Sequence, residues 1–187
     1  MSMMPVTAPM TATEYLANAD ETRKTELIDG VVVVTEPMRL HQRVVFDIAV
    51  ELRAWTTQGA ARGEVSMPLD VRIDDHNVFA PDVLWYAEGR APATHAGRPY
   101  EIPDLVVEVR SPSTWRYDIG AKKSAYERNG LRELWLVDTA GSVVLAFRRS
   151  LAAAPTFDVA IEFERGSQLT SPLLAGFALP LTSLFRD

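Results

Sequence analysis

Pro103-Asp104-Leu105-Val106-Val107-Glu108-Val109-Arg110 is a short apolar run with one carboxylate set into it. Continuous apolar stretches of this length belong to strands buried on both faces of a central sheet. An unpaired carboxylate in such a strand is costly, so Glu108 requires a cation, a partner or an opening to solvent. Pro81-Asp82-Val83-Leu84-Trp85-Tyr86 poses the same problem one strand earlier. Two carboxylates that interrupt neighbouring apolar strands can converge on one Mg²⁺, an ion held by one or two carboxylates and several waters. The plainer reading is that Asp82 starts a strand and Glu108 pairs with Arg110 on its own face. Asp104 is excluded from a shared ion, because four residues of extended strand place it roughly 13 Å from Glu108.

Outward from this run the chain reads as a mixed α/β domain. Upstream, Thr11-Ala12-Thr13-Glu14 has capping-box spacing and predicts a short helix. Thr25 to Ile28 and Val31 to Thr35 flank Asp29-Gly30, a hairpin dipeptide. Leu40, Val44, Val45, Ile48, Leu52 and Trp55 recur at helical spacing and predict a helix from Arg39 to about Gln58. Strands are expected at 63–67, 69–73, 82–86 and 105–109, with an exposed loop over 87–101. Downstream, 118–129 predicts a helix closed by Gly130, followed by strands at 134–138, 143–148 and 157–163. The apolar tail 173–185 is expected to pack on the body.

Asp118, Lys122 and Tyr126 recur every fourth residue and share a helix face. By spacing alone Asp118 caps that helix and Lys122 is its i,i+4 partner. The functional alternative is that the helix returns Lys122 to the carboxylates, where an ammonium stabilises phosphate charge.

The 187 residues suit one domain, expected over 11–187, with residues 1–10 as a disordered or loosely attached lead-in. Hydrophobic and charged fractions of 47% and 24% are ordinary for a folded protein, and no apolar run is long enough for a membrane span. A cytoplasmic location is expected. The absence of cysteine excludes disulfides, thiolate catalysis and Cys-ligated zinc, so any metal is held by oxygen or histidine ligands. A net charge of −6 argues against a broad phosphate-binding surface but permits a local basic cleft.

The stretches P-D-L-V-V-E-V-R-S-P-S-T, D-I-G-A-K and Y-E-R-N-G-L-R-E-L-W-L-V-D between Pro103 and Asp138 together resemble the signature region of the Uma-two family of restriction-endonuclease-like proteins. The likeness extends to E-L-I-D-G-V at Glu26 to Val31, to His41, to P-D-V at Pro81 to Val83 and to Gly176-Phe177. The resemblance implies the PD-(D/E)XK fold, a mixed central sheet flanked by helices, here with an N-terminal β-hairpin. It also implies a Mg²⁺ or Mn²⁺ site for phosphodiester hydrolysis. Asp82 matches the motif aspartate and Glu108 the acidic residue after it, and the Val109 carbonyl is implied as a further ligand. Arg110 stands at the usual lysine position. It cannot act as a base, and the family's lysine on the following helix is matched by Lys122. Glu26 and His41 match family positions, Glu26 as a carboxylate that orients water and His41 as a phosphate contact or proton shuttle.

The function the resemblance implies for these residues is that of a Mg²⁺-dependent endonuclease acting on nucleic acid, with DNA expected. The alternatives are an inactive nucleic-acid-binding or regulatory module and a structural homo-oligomer. Two further expectations follow. Asp82 and Glu108, if they share an ion, should raise each other's pKa without it. The tail and the hairpin 27–34 offer spare apolar surface for a homodimer.

Overall fold

The computed structural model describes residues 8–18 and 24–186. The first seven residues of the expected lead-in lie outside the described residues. Of the next three, Met10 donates its backbone N–H to Gly30 O at 3.0 Å. The capping box forms as read: Thr11 N donates to Glu14 Oε2 at 2.8 Å and Glu14 N to Thr11 Oγ1 at 3.2 Å, opening α1 (Ala12–Asn18).

The hairpin β1 (Thr25–Ile28) and β2 (Val31–Val34) turns at Asp29 and Gly30, whose φ angles of 48° and 75° are those of the tight turn the dipeptide favours. β1 also pairs with β5 (Asn77–Phe79), itself paired with β4 (Val71–Asp74), so the hairpin belongs to a four-stranded sheet in the order β2-β1-β5-β4.

The second sheet has six strands. Their order is β10 (Val159–Glu164), β9 (Val143–Arg148), β8 (Glu133–Asp138), β7 (Leu105–Val109), β6 (Val83–Tyr86) and β3 (Glu64–Ser66). Among the described residues, β7 and β8 are the parallel pair of this sheet. A parallel pair requires a crossover connection, and here it contains a helical run: α3 (Trp115–Tyr117), a π turn (Asp118–Lys122) and α4 (Lys123–Arg128).

Every residue of β6 and β7 is buried, because this sheet is covered on both faces. Val83, Trp85, Leu105, Val107, Trp135 and Val137 pack under α2 (Arg39–Thr57) and the C-terminal segment. The alternate residues Leu84, Tyr86, Val106, Leu134 and Leu136 meet Ala125 and Tyr126 of α4, and Phe79 and Val71 of the first sheet. Each large apolar side chain so buried contributes about 1.5–3 kcal/mol. Glu108 follows Val106 in the two-residue alternation of β7, so it faces α4 and the first sheet rather than α2.

The tail packs on the body as expected. Trp55 Nε1 donates to Ala175 O at 3.1 Å, the Phe177 ring stacks on Trp135 at 5.9 Å, and Leu181 and Leu184 of α5 (Leu181–Leu184) are buried. A small ladder of β11 (Gln168–Leu169) and β12 (Leu179–Pro180) ties this segment down. The tail is therefore part of the chain's own core and offers no spare face, whereas Val31, Val32 and Val34 of the edge strand β2 remain exposed. Among the described residues no helix is long and apolar enough to cross a membrane.

Candidate active site

One cleft gathers side chains from both sheets and two helical segments. Lys24 and Glu26 come from the start of the hairpin, His41 from the first turn of α2, Asp82 from the residue before β6, Glu108 from β7, and Asp118 and Lys122 from the π turn. Its empty space is about 310 Å³ including the open mouth.

Strand pairing sets its floor. Val83 stands opposite Val107, which brings Asp82 and Glu108 alongside one step further on. Asp82 is held from three sides: Oδ1 accepts from Lys24 Nζ at 2.9 Å, and Oδ2 accepts from Val109 N at 2.9 Å and lies 3.0 Å from His41 Nε2. Val109 thus lines the cleft with its amide engaged on Asp82. His41 is 8% exposed, and its Nδ1 is buried with no hydrogen-bond partner among the described residues.

Lys122 lies among the other carboxylates. Its ammonium is 2.8 Å from Glu108 Oε1, 2.9 and 3.2 Å from the two Glu26 oxygens, and 3.2 Å from Asp118 Oδ1. Tyr126 donates to Glu108 Oε1 at 2.7 Å, and Ala80 N donates to Glu26 Oε1 at 2.8 Å. The π turn matters here. A helix with one wider turn re-aims the residues on either side of it, and such turns recur at functional sites; this one presents Asp118 and Lys122, both buried, toward β1 and β7.

The expectation that Asp82 and Glu108 raise each other's pKa is met for one of them and corrected for the other. Burial pushes Glu108 up to about 8, with Asp118, Glu26 and Asp82 adding to the shift and Lys122 opposing it. Burial likewise pushes Asp118 up to about 6 against the pull of Lys122. Asp82 moves the other way. Burial alone would raise it, but the hydrogen bond from His41 and the nearby Lys24 outweigh burial and hold it well below the usual carboxylate range. Lys122 is also disfavoured by burial, yet Glu108, Glu26 and Asp118 outweigh that and hold it charged.

Sequence reasoning gave Asp118 only the role of a helix cap, whereas it lies inside the π turn and lines the cleft, and it missed Lys24 altogether. Lys24 precedes Glu26 by two, so strand alternation puts both on one face, but within E-T-R-K-T-E it reads as part of a solvated charge run. The plainer pairing of Glu108 with Arg110 does not form: Arg110 Nη1 donates to Asp138 Oδ1 at 2.8 Å and its guanidinium lies over Trp115. Asp104 is a structural anchor away from the cleft, bonded to Ala87 N at 2.8 Å and to Arg90. Lys123, the neighbour of Lys122, lies 4.5 Å from the Phe147 ring centroid instead.

The donor set is of the oxygen type that hard divalent cations take. Glu26, Asp82, Glu108 and Asp118 are four carboxylates against the two ammoniums of Lys24 and Lys122, which leaves a formal charge of −2 with His41 neutral. Among the described residues no three acidic or histidine side chains are gathered on one point. The lysines account for this, since Lys122 lies between three of the carboxylates and Lys24 holds the fourth.

Comparison with known proteins agrees with this architecture. No curated protein matches the chain. A crystal structure from Anabaena variabilis, described as a "putative nuclease belonging to DUF820", superposes with a TM-score of 0.77 at 18% identity, covering 95% of this chain and 98% of that one. At that identity the likeness establishes a shared fold. The model of the Uma2 family, described as "Putative restriction endonuclease", matches residues 12–182, and with nearly the whole chain matched the protein belongs to that family.

Proposed function

We propose that the protein is a Mg²⁺- or Mn²⁺-dependent endonuclease that hydrolyses nucleic-acid phosphodiesters, with DNA as the expected substrate and the cytoplasm as its place of action. The observation that carries this reading is the convergence of Glu26, Asp82, Glu108, Asp118 and Lys122, from separate elements of two sheets and a helical turn, on one cleft of formal charge −2. Asp82 and Glu108 would hold the ion, with the Val109 carbonyl as the further ligand that the family likeness implies. When bound, such a cation polarises a phosphodiester and makes water a better nucleophile at neutral pH. The protein's own part is positional and electrostatic. Val109 N and His41 Nε2 fix the Asp82 carboxylate, and Tyr126 fixes Glu108. Lys122 carries a positive charge in a buried setting, where it acts more strongly on developing phosphate charge than it would in water. Glu26, held by Ala80 N, can orient water, and the buried Nδ1 of His41 is a site where a proton can be held or passed on.

A metal titration at several pH values tests this. The folded pKa values of Glu108 and Asp118, about 8 and about 6, lie above their ordinary values of 4.5 and 3.8. Through that window the metal-free folded state keeps protons that the unfolded chain gives up, so these two groups remove stability as pH rises toward 8. The melting temperature of metal-free protein is expected to fall between pH 6 and about 8. Mg²⁺ or Mn²⁺ displaces those protons, so it should raise the melting temperature more at pH 8 than at pH 6 and support cleavage of DNA. A melting temperature indifferent to both ions, together with no cleavage, would sink the proposal.

One observation favours a second reading, a nucleic-acid-binding module without catalysis. The four carboxylates already find two ammoniums inside the fold, so the cleft has counter-charge without an ion. The same titration separates the two readings. The exposed valines of β2 support a second copy of this chain as a partner. Light scattering that returns only monomer mass across a concentration series would remove that partner.

A further inference from the structure

Lys24 and Lys122 both bring an ammonium to the cleft, but they are held differently. The side chain of Lys122 is 2% exposed and its ammonium answers three carboxylates. Lys24 makes its ion pair with Asp82 Oδ1 at 2.9 Å, and its side chain, 28% exposed, is the most open of the charged groups that line the cleft. Its backbone is pinned, since Thr35 N and Thr35 Oγ1 donate to Lys24 O at 3.0 and 3.1 Å. The arm beyond is a flexible four-carbon stem that can change rotamer without disturbing the hairpin.

Asp82 has one oxygen to offer a further cation. Val109 N donates to Oδ2 at 2.9 Å and His41 Nε2 lies 3.0 Å from it, which takes up both lone pairs of that oxygen. Oδ1 is left, and it is the oxygen that Lys24 holds. Two positive charges on one carboxylate oxygen repel strongly in a buried setting. Room is the second constraint. The space at the carboxylate floor is about 20 Å³, enough for about one water. Mg²⁺ bound through one or two carboxylates keeps several waters, so some side chain has to withdraw to admit it. Three ion pairs hold Lys122 in place, whereas the arm of Lys24 already reaches solvent.

We propose that Lys24 is the resident counter-cation of Asp82 and cedes that place to the metal, its arm swinging to the mouth of the cleft, so that Lys24 sets how tightly the cleft takes a divalent cation. This rests on the reading that the cleft binds such an ion, and it gives the two lysines separate roles: Lys122 stays and Lys24 exchanges.

Amine acetylation of the full-length protein, read by mass spectrometry, follows the exchange directly, because Lys24, Lys122 and Lys123 are the lysines of the chain. An arm withdrawn in about 10% of molecules or fewer without metal should label about tenfold faster once Mn²⁺ makes that position dominant. Lys123, packed against Phe147 away from the cleft, is the internal reference and should not respond, and buried Lys122 should stay unlabelled. Calorimetric titration with Mn²⁺ gives the second readout. Lys24→Met removes the competing charge and should bind Mn²⁺ at least about fivefold tighter than wild type, within the usual range for two coupled ligands. Lys24→Arg, whose planar fork grips a carboxylate more firmly, should bind it no tighter than wild type. The labelling arm uses wild-type protein, so it stands even where a variant folds poorly. Mn²⁺ binding that leaves Lys24 labelling unchanged, or an equal affinity in a folded Lys24→Met, overturns the exchange and leaves the metal-dependent reading intact. Binding by Lys24→Met but not by wild type would instead uphold Lys24 as the competing cation and remove the metal-dependent reading for the natural chain. Binding by neither overturns both.

Discussion

Replacing Lys122 by methionine is expected to lower the melting temperature of metal-free protein by about 10 °C at neutral pH, as a loss of about 3–5 kcal/mol would in a chain of this size. The side chain stays unbranched and is shortened by one heavy atom, so the effect is mainly that of the charge. Lys122 is 2% exposed and its ammonium answers Glu26, Glu108 and Asp118 together. Removing one partner of a buried ion pair strands the other, and here Glu26 and Asp118 lose their cation at once, joined by Glu108 above about pH 8 where it ionises. Two rescues follow. Acidification should restore much of the lost stability, because the stranded carboxylates can take up protons. Mg²⁺ or Mn²⁺ should stabilise Lys122→Met more than wild type, since the ion supplies the missing positive charge, while cleavage stays lost. Thermal melts across pH, with and without Mn²⁺, check this. An unchanged melting temperature, or a loss that neither acid nor metal repairs, would show that the ammonium does not compensate these carboxylates.

Asp82→Ala is expected to abolish the metal response and to destabilise the metal-free fold by about 2–4 kcal/mol. Simple repulsion between two carboxylates would predict the opposite sign, a gain on removing one of them. The contacts decide against that. Asp82 accepts from Lys24, Val109 N and His41, and its pKa is held low, so it contributes stability that is present above its ordinary value of 3.8 and lost as pH falls below it. Its loss leaves a buried backbone N–H and a buried imidazole without their acceptor. Asp82→Asn keeps the shape and should recover part of the stability but not the metal response. Urea melts in metal-free buffer give the decisive comparison. An Asp82→Ala protein as stable as wild type would mean that repulsion dominates and the network around Asp82 is weak.

Much of the fold was legible because its signals are local. The Asp29-Gly30 turn, the Thr11 to Glu14 box, the helical spacing from Val44 to Trp55 and the all-apolar β7 each announce an element within a few residues. β5 was not legible. Asn77–Phe79 is short, and the polar turn before it, Asp74 to Asn77, reads as loop although Asp74 Oδ1 accepts from His76 N and Asn77 Nδ2 to close a tight connection. The π turn was hidden for another reason. A period of four predicts a shared face for Asp118, Lys122 and Tyr126 whether or not the helix widens, so spacing placed the face but not the distortion that aims it. In the cleft, Asp82 and Glu108 stood out as charges inside apolar strands. Lys24 did not, since its environment is made by Asp82, 58 residues away along the chain.

The pairing of Glu26 with Lys122 spans 96 residues and joins the first sheet to the crossover of the second. Contacts of such high sequence separation form late, because a long loop must close before they repay its entropy. During synthesis the hairpin that supplies Lys24 and Glu26 emerges long before the segment that supplies Lys122. A nascent or half-folded chain therefore carries the acidic residues without the geometry that organises them. Whatever chemistry the cleft performs is withheld until both sheets have docked, so completion of the fold is itself the step that arms the molecule.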